Sequence, residues 1–326
     1  MNKTSIYHVS LSSHDEVMFR DQADFRMGFN CLAVAAIATE SRLLADGFMS
    51  NHYHALIQTS SLKELMRRAR YAYSRYFNNK YTRTGKLAEE KYFSLEIAGL
   101  NHTIAALNYV IRQGLHHGLT TTPFGYPYCS ANTYYRQELG KTETPELLQA
   151  KHRGKYLPSN IKIPQEYRMS ADGQLLREDV IDVTWVEQVY VSPKSFLFHM
   201  NRIANERDIQ EQKEENQLPP VTLEAIEKGV PGFNLQEAKT FERERGVRNA
   251  MTDLELCAYI DTDLLPRLLK PQPNPSIYML PEERRSDIAN WLWSKSRNEL
   301  YKKGSNSPFS SKTITEPQLR RCLALK

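Results

Sequence analysis

His52, Tyr53 and His54 stand in the run NHYHALI. On an extended strand, residues i and i+2 project from the same face, so the two imidazoles share a side and lie close enough to hold one metal ion. Two ligands make half a site. A candidate for the other half is NYVIRQ, where a helix sets the phenol of Tyr109 and the amide of Gln113 on one face, one turn apart. If that face looks at the histidines, the amide oxygen supplies a third ligand and the phenol sits beside the ion as a nucleophile. Each piece also has a plainer reading. The histidines can be surface residues, Tyr109 an aromatic in an apolar stripe, and Gln113 a polar residue near a helix end.

These side chains need elements to position them, and the periodicity supplies candidates. SIYHVS (5–10) alternates and is rich in β-formers, as a strand requires. Residues 21–38 place Phe25, Phe29, Leu32 and Ala36 at three-to-four spacing, which predicts a helix against the sheet. Strands are expected over 42–49 and 52–58, joined by a turn at Ser50 and Asn51. A helix is expected over 62–77, a short strand over 93–97, and a second helix over 101–113 closed by Gly114 and Gly118. The order points to an α+β fold. It reads as a ferredoxin-like (RRM-like) antiparallel sheet with helices on one face, followed by a mainly helical C-terminal extension.

The chain has 326 residues, 40% of them hydrophobic, and a formal charge of +5. That is enough apolar material for real cores and excludes global disorder. No stretch approaches the roughly 18 apolar residues of a membrane span. The first 13 residues lack the profile of a secretory signal, so the expected compartment is the cytoplasm. Cys31, Cys129, Cys257 and Cys322 are scattered singly, which predicts reduced, buried thiols. The charge is uneven. Residues 1–140 carry 15 basic and 11 acidic side chains, 141–279 carry 18 and 22, and 280–326 carry 10 and 5. Within the first segment, 63–91 holds nine basic and three acidic residues interleaved with Tyr71, Tyr73, Tyr76, Phe77 and Tyr81. Cations for phosphates and rings for bases suit a nucleic-acid strand, although a solvated amphipathic helix has the same composition.

The segments GFMSNHYHALIQT, YSRYFNNKYTRTGKL, LNYVIRQGLHHGL and FGYPYCSANTY, with YHVSL and Phe19-Arg20-Asp21 ahead of them, succeed one another in order over residues 5–135. Together they resemble the catalytic domain of REP-associated tyrosine transposases, in the single-tyrosine branch of the HUH endonucleases. The resemblance implies that His52 and His54 are the HUH pair, Tyr109 the nucleophile and Gln113 the third ligand. It further implies Mg²⁺ or Mn²⁺ as cofactor and a 5′-phosphotyrosine formed on single-stranded or hairpin DNA. Two imidazoles with an amide lean toward Mn²⁺. Ser50 replaces the family's usual proline, and Gln113-Gly114 replaces its usual Asn-Pro, as in insertion-sequence transposases of the same branch; either amide offers a carbonyl oxygen.

On this reading Arg67, Arg68, Arg70, Arg75, Lys80 and Arg83 hold DNA, while His116 and His117 read as exposed loop residues. Three regions are expected: a catalytic domain over 1–140, an acidic accessory region over 141–280 and a basic helical tail over 281–326. The tail has Ile288, Trp291 and Leu292 in helical spacing and a second short helix over 315–325, a helix-turn-helix or a packing pair. A polar run is expected over 210–220 and a linker over 270–275. A homodimer is left open and no membrane partner is expected. The alternatives are a replication initiator or relaxase with the same chemistry, a transposase repurposed to bind repeats, and a non-catalytic nucleic-acid-binding protein on the same sheet.

Overall fold

The computed structural model of the chain describes residues 4–13, 15–158, 161, 163–269, 275–300 and 307–325. Its first hundred residues run β1 (Ser5–Ser12), α1 (Gln22–Ala38), β2 (Arg42–Met49), β3 (His52–Thr59), α2 (Leu62–Tyr81) and β4 (Phe93–Ile97). The four strands form one antiparallel sheet in the order β2-β3-β1-β4. That order and the β-α-β-β-α-β succession are the expected α+β arrangement.

Local chemistry accounts for the boundaries. Asp21 caps α1 by accepting the backbone N–H of Asp24, and Thr82 ends α2 in the left-handed region. The chain reverses between β2 and β3 at Ser50 and Asn51, and the Ser50 carbonyl accepts the N–H groups of Met18 and Phe19. α2 runs four residues beyond the expected Phe77 because Tyr81 is still a packing residue, its ring centroid 4.6 Å from that of Phe77. The first half of the expected polar run at 210–220 belongs to the helix Glu206–Glu215, started by a capping box between Asn205 and Asp208. The expected linker at 270–275 lies almost wholly outside the described residues, and residues 301–303 lie outside them too.

Each strand divides its residues between two faces. Leu11, Tyr53 and Ala55 point toward α1 and α2, where Phe48 stacks on Tyr53 and meets Phe19 and Phe29 edge-on. α3 (Leu100–Ile111) and the short α4 (Gln113–His116) lie across the other face, against β2 and β3. α1 and α2 therefore cover one face, and α3 with α4 adds a layer on the opposite one. Gly47 on β2 permits the close approach, because a Cβ there would stand 2.5 Å from the Val110 carbonyl oxygen.

The middle of the chain continues this layer, with Met169, Val186, Phe196, Val221 and Ile226 in the same hydrophobic cluster as the sheet. A second cluster joins Val17 to Leu256, Ile260, Leu292, Phe309 and Leu319. Buried Arg20 ties it to the first through Asp261 and the Cys322 carbonyl. In the tail helix Glu282–Glu299, Ile288 and Leu292 are buried whereas Trp291 is 46% exposed, off the packing face. All four cysteines are free and buried. No helix among the described residues is long and apolar enough to cross a membrane.

Candidate metal centre and nucleophile

β3 delivers His52 and His54 to the face under α3, as the two-residue period requires. Opposite them in the register stand Ser12 and Ser10 of β1, and His8 two residues earlier stacks on His54 with ring centroids 5.2 Å apart. Tyr109, on α3, meets the rings of His54 and His8 edge-on at 5.2 and 5.6 Å. Gln113 opens α4, where a break at Arg112 separates it from α3, and its Nε2 donates to the Tyr109 carbonyl at 3.3 Å. The four residues singled out from the sequence thus converge, and all are buried.

Hydrogen bonds fix which ring nitrogens face inward. The Nδ1 atom of His52 is 2.9 Å from Asn51 Oδ1, an acceptor, so Nδ1 carries the proton and Nε2 keeps its lone pair. His54 Nδ1 is paired with His8 Nε2 at 3.1 Å, which leaves His54 Nε2 facing the site. Burial pushes His8 and His52 down to about 3, and His54 well below its usual value. The rings are therefore neutral near pH 7, the form in which imidazole binds metals.

Glu227, at the end of the helix Leu223–Glu227 in the middle region, completes the cluster. Its Oε1 accepts the Tyr109 hydroxyl proton and stands 3.6 Å from His54 Nε2 and 3.4 Å from His117 Nε2. Burial and then the Glu227 carboxylate push the Tyr109 phenol well above its ordinary value. The ligand atoms of His52, His54 and Glu227 lie within 4.8 Å of one another, so this group could hold a metal ion. The donor set fits one: His52 Nε2, His54 Nε2, Gln113 Oε1 and Glu227 Oε2 are buried without hydrogen-bond partners. Buried polar atoms are rarely left so, and four converging in one place need a cation or polar ligand.

Two expectations change here. His116 and His117 are not exposed loop residues: His116 is buried and stacks on the Tyr109 ring, and the His117 side chain is only 11% exposed beside Glu227. α4 carries the chain back against the helix Leu235–Glu244, which covers the residues after Gln113. Sequence reasoning misses His8 and Glu227. His8 has a usable signal, since an alternating strand puts it on one face with Ser10. Glu227, in TLEAIEKGV, has none.

The helix Leu223–Glu227 lies against the site through Glu227. On the far side of Tyr109 a cavity of about 530 Å³ is lined by Tyr109, Arg112, His116, Val221, Leu223 and Glu242. A separate cleft of about 700 Å³ runs between α1, α2 and residues 154–158 and 161, on the opposite side of the sheet. Arg67, Arg68, Arg75, Lys80 and Lys155 line it with Tyr71 and Tyr76, and no carboxylate does among the described residues. Arg67 and Arg68 are paired with Glu64, and Lys80 with Asp21 and Asp24. Arg70 and Arg83 do not line the cleft: Arg70 donates to the carbonyls of Glu89 and Glu90, and Arg83 pairs with Glu16.

No family model matches the chain, and no curated protein matches it. Among solved structures it is similar to a REP-associated tyrosine transposase bound to a REP hairpin. Identity is 9% and the TM-score 0.32, over 43% of this chain and 82% of the other. So slight a likeness carries no weight for function, which has to be argued from the site.

Proposed function

We propose that the protein cleaves and rejoins single-stranded DNA through a covalent 5′-phosphotyrosine at Tyr109, as a transposase of the single-tyrosine HUH type. One observation carries this reading: a buried tyrosine hydroxyl lies against two neutral imidazoles, an amide oxygen and a carboxylate, several of them unpartnered. His52, His54 and Gln113 would hold a divalent ion, Mg²⁺ or Mn²⁺, whose role is to draw charge from a non-bridging oxygen of the scissile phosphate. Tyr109 supplies the attacking oxygen. Its phenol loses a proton, the new O–P bond forms in line with the P–O3′ bond that breaks, and the departing 3′ oxygen takes up a proton. Reversal by a 3′ hydroxyl rejoins strands with no external energy source, the reason to use tyrosine rather than water.

The cavity of about 530 Å³ that Tyr109 lines gives a strand its approach to the nucleophile. Residues 1–140 carry the chemistry on this reading, and 141–280 cover it. The lysine and arginine side chains of the cleft hold the DNA backbone, with Tyr71, 67% exposed, available to a base. Arg75 is the best placed of the six expected cations, because it lines the cleft and forms no ion pair among the described residues.

The test is a denaturing gel of the protein incubated with Mn²⁺ and labelled single-stranded hairpin DNA. A covalent adduct is expected, abolished by Tyr109→Phe while binding persists, and suppressed by chelator. An adduct that survives Tyr109→Phe rejects the nucleophile, and indifference to chelator rejects the metal. Binding without any adduct identifies the non-catalytic alternative.

A further inference from the structure

His52, His54 and Gln113 draw the ion's ligands from β3 and α4 only, the catalytic region. We infer that Glu227 is also a protein ligand, and that the metal centre is therefore shared between the catalytic region and the middle of the chain. The inference rests on the metal-dependent reading of the site and extends it to a residue that motif and spacing leave out.

Three observations converge on Glu227. The carboxylate is 1% exposed, yet its ion-pair contacts are to His54 and His117, and among the described residues it pairs with no lysine or arginine. Burying a carboxylate that no lysine or arginine compensates is costly, and a dication is a partner that offsets it. Its atoms and those of His52 and His54 fall within 4.8 Å of one another, a spread that a small inward movement turns into coordination at the roughly 2 Å bond lengths of imidazole and carboxylate ligands. The two oxygens divide the work. Oε1 is oriented by Tyr109 and His117, while Oε2 is buried and unpartnered. Ligating carboxylates are characteristically held in this way by outer hydrogen bonds.

Two imidazoles, one carboxylate and the neutral Gln113 oxygen make a mixed nitrogen–oxygen set. Such a set favours Mn²⁺ or another first-row dication over Mg²⁺, which prefers an all-oxygen shell and retains its waters. Because Glu227 belongs to a short helix far along the chain, binding the ion also fastens that helix to the sheet.

The experiment uses the full chain, stripped of metal and titrated with Mn²⁺ by calorimetry, with the manganese resonance spectrum as a second readout. Glu227→Gln preserves volume and an acceptor for Tyr109; it is expected to weaken Mn²⁺ at least about tenfold, with Glu227→Asp recovering part of the loss. Mn²⁺ should protect the 219–233 segment from proteolysis in the unsubstituted protein and not in Glu227→Gln. Equal Mn²⁺ affinity in Glu227→Gln and the parent overturns the inference, as does protection that ignores the substitution. If Glu227→Gln does not fold, Tyr109→Phe provides the second arm. It removes the hydroxyl that orients Oε1, so Mn²⁺ affinity should fall about tenfold if Glu227 is a ligand, and affinity equal to the parent's overturns the proposal. The adduct gel on the same preparations separates the two readings, since Glu227-dependent Mn²⁺ binding without adduct rejects strand cleavage and leaves the ligand standing.

Discussion

Alternate residues of β3 belong to two different environments. Tyr53, Ala55 and Ile57 meet the α1 and α2 side, where Phe48, Phe19 and Phe29 close-pack and Tyr73 donates to the Met18 carbonyl. His52 and His54, one residue away in each direction, meet α3 and α4 across a cluster of buried polar atoms without partners. Both faces are equally hidden from water. The first gains stability from apolar contact with its polar groups satisfied, while the second retains unsatisfied lone pairs at an energetic cost. A sheet built only for stability would not tolerate the second face, and the contrast locates function.

The largest effect should come from the packed face. Phe48→Ala removes a ring in contact with three others and is expected to cost about 3–5 kcal/mol in urea denaturation, without changing which metals the site binds. A loss below about 1 kcal/mol would show that this face is not the stabilising one. Gly47→Ala addresses the junction of the two layers. The added methyl collides with the Val110 carbonyl, so α3 must shift, at about 1–3 kcal/mol and with loss of Tyr109 adduct out of proportion to the loss of stability. Unimpaired adduct would mean that α3 does not need this close approach.

Gln113→Leu reverses the sign. Replacing an unpartnered buried amide oxygen by an apolar group of similar size should leave stability unchanged or raise it by up to about 2 kcal/mol, while weakening Mn²⁺ binding. Destabilisation there would argue that Gln113 is a structural residue. The smallest effect concerns the rim. Ser50, in the turn before the histidines, donates to Asp253, which Arg321 also holds. Burial raises the Asp253 carboxyl and Arg321 lowers it, with the net shift downward. A carboxylate depressed in the folded state contributes stability above its unfolded value near 3.9 and loses it as pH falls through the folded value. Melts between pH 5 and pH 2 should therefore show a decline that Asp253→Asn removes.

Much of this architecture is legible in the chain. Alternation and three-to-four spacing place the strands and the long helices within a few residues, because both periods are local properties of the backbone. The i, i+2 histidines, and Tyr109 with Gln113, are legible for the same reason, although the break at Arg112 puts the last two on separate helices. His116 and His117 read wrongly as exposed. Two polar residues just before Gly118 look like a turn until the helix Leu235–Glu244 is laid over them. Of the six expected cations, charge and aromatic spacing cannot separate Arg75, which lines the cleft, from Arg70 and Arg83, which bind the chain's own oxygens.

The sequence alone determined that two imidazoles would share one face of a strand and that a phenol and an amide would lie within a helical turn, since neighbours along the chain fix these relations. Only the tertiary structure decided that these pieces meet, that His8 fixes His54, and that a carboxylate 118 residues beyond Tyr109 accepts its hydrogen bond. No local period connects residues so far apart. Their meeting depends on how the middle region packs across the sheet, a property of the whole hydrophobic cluster rather than of any segment.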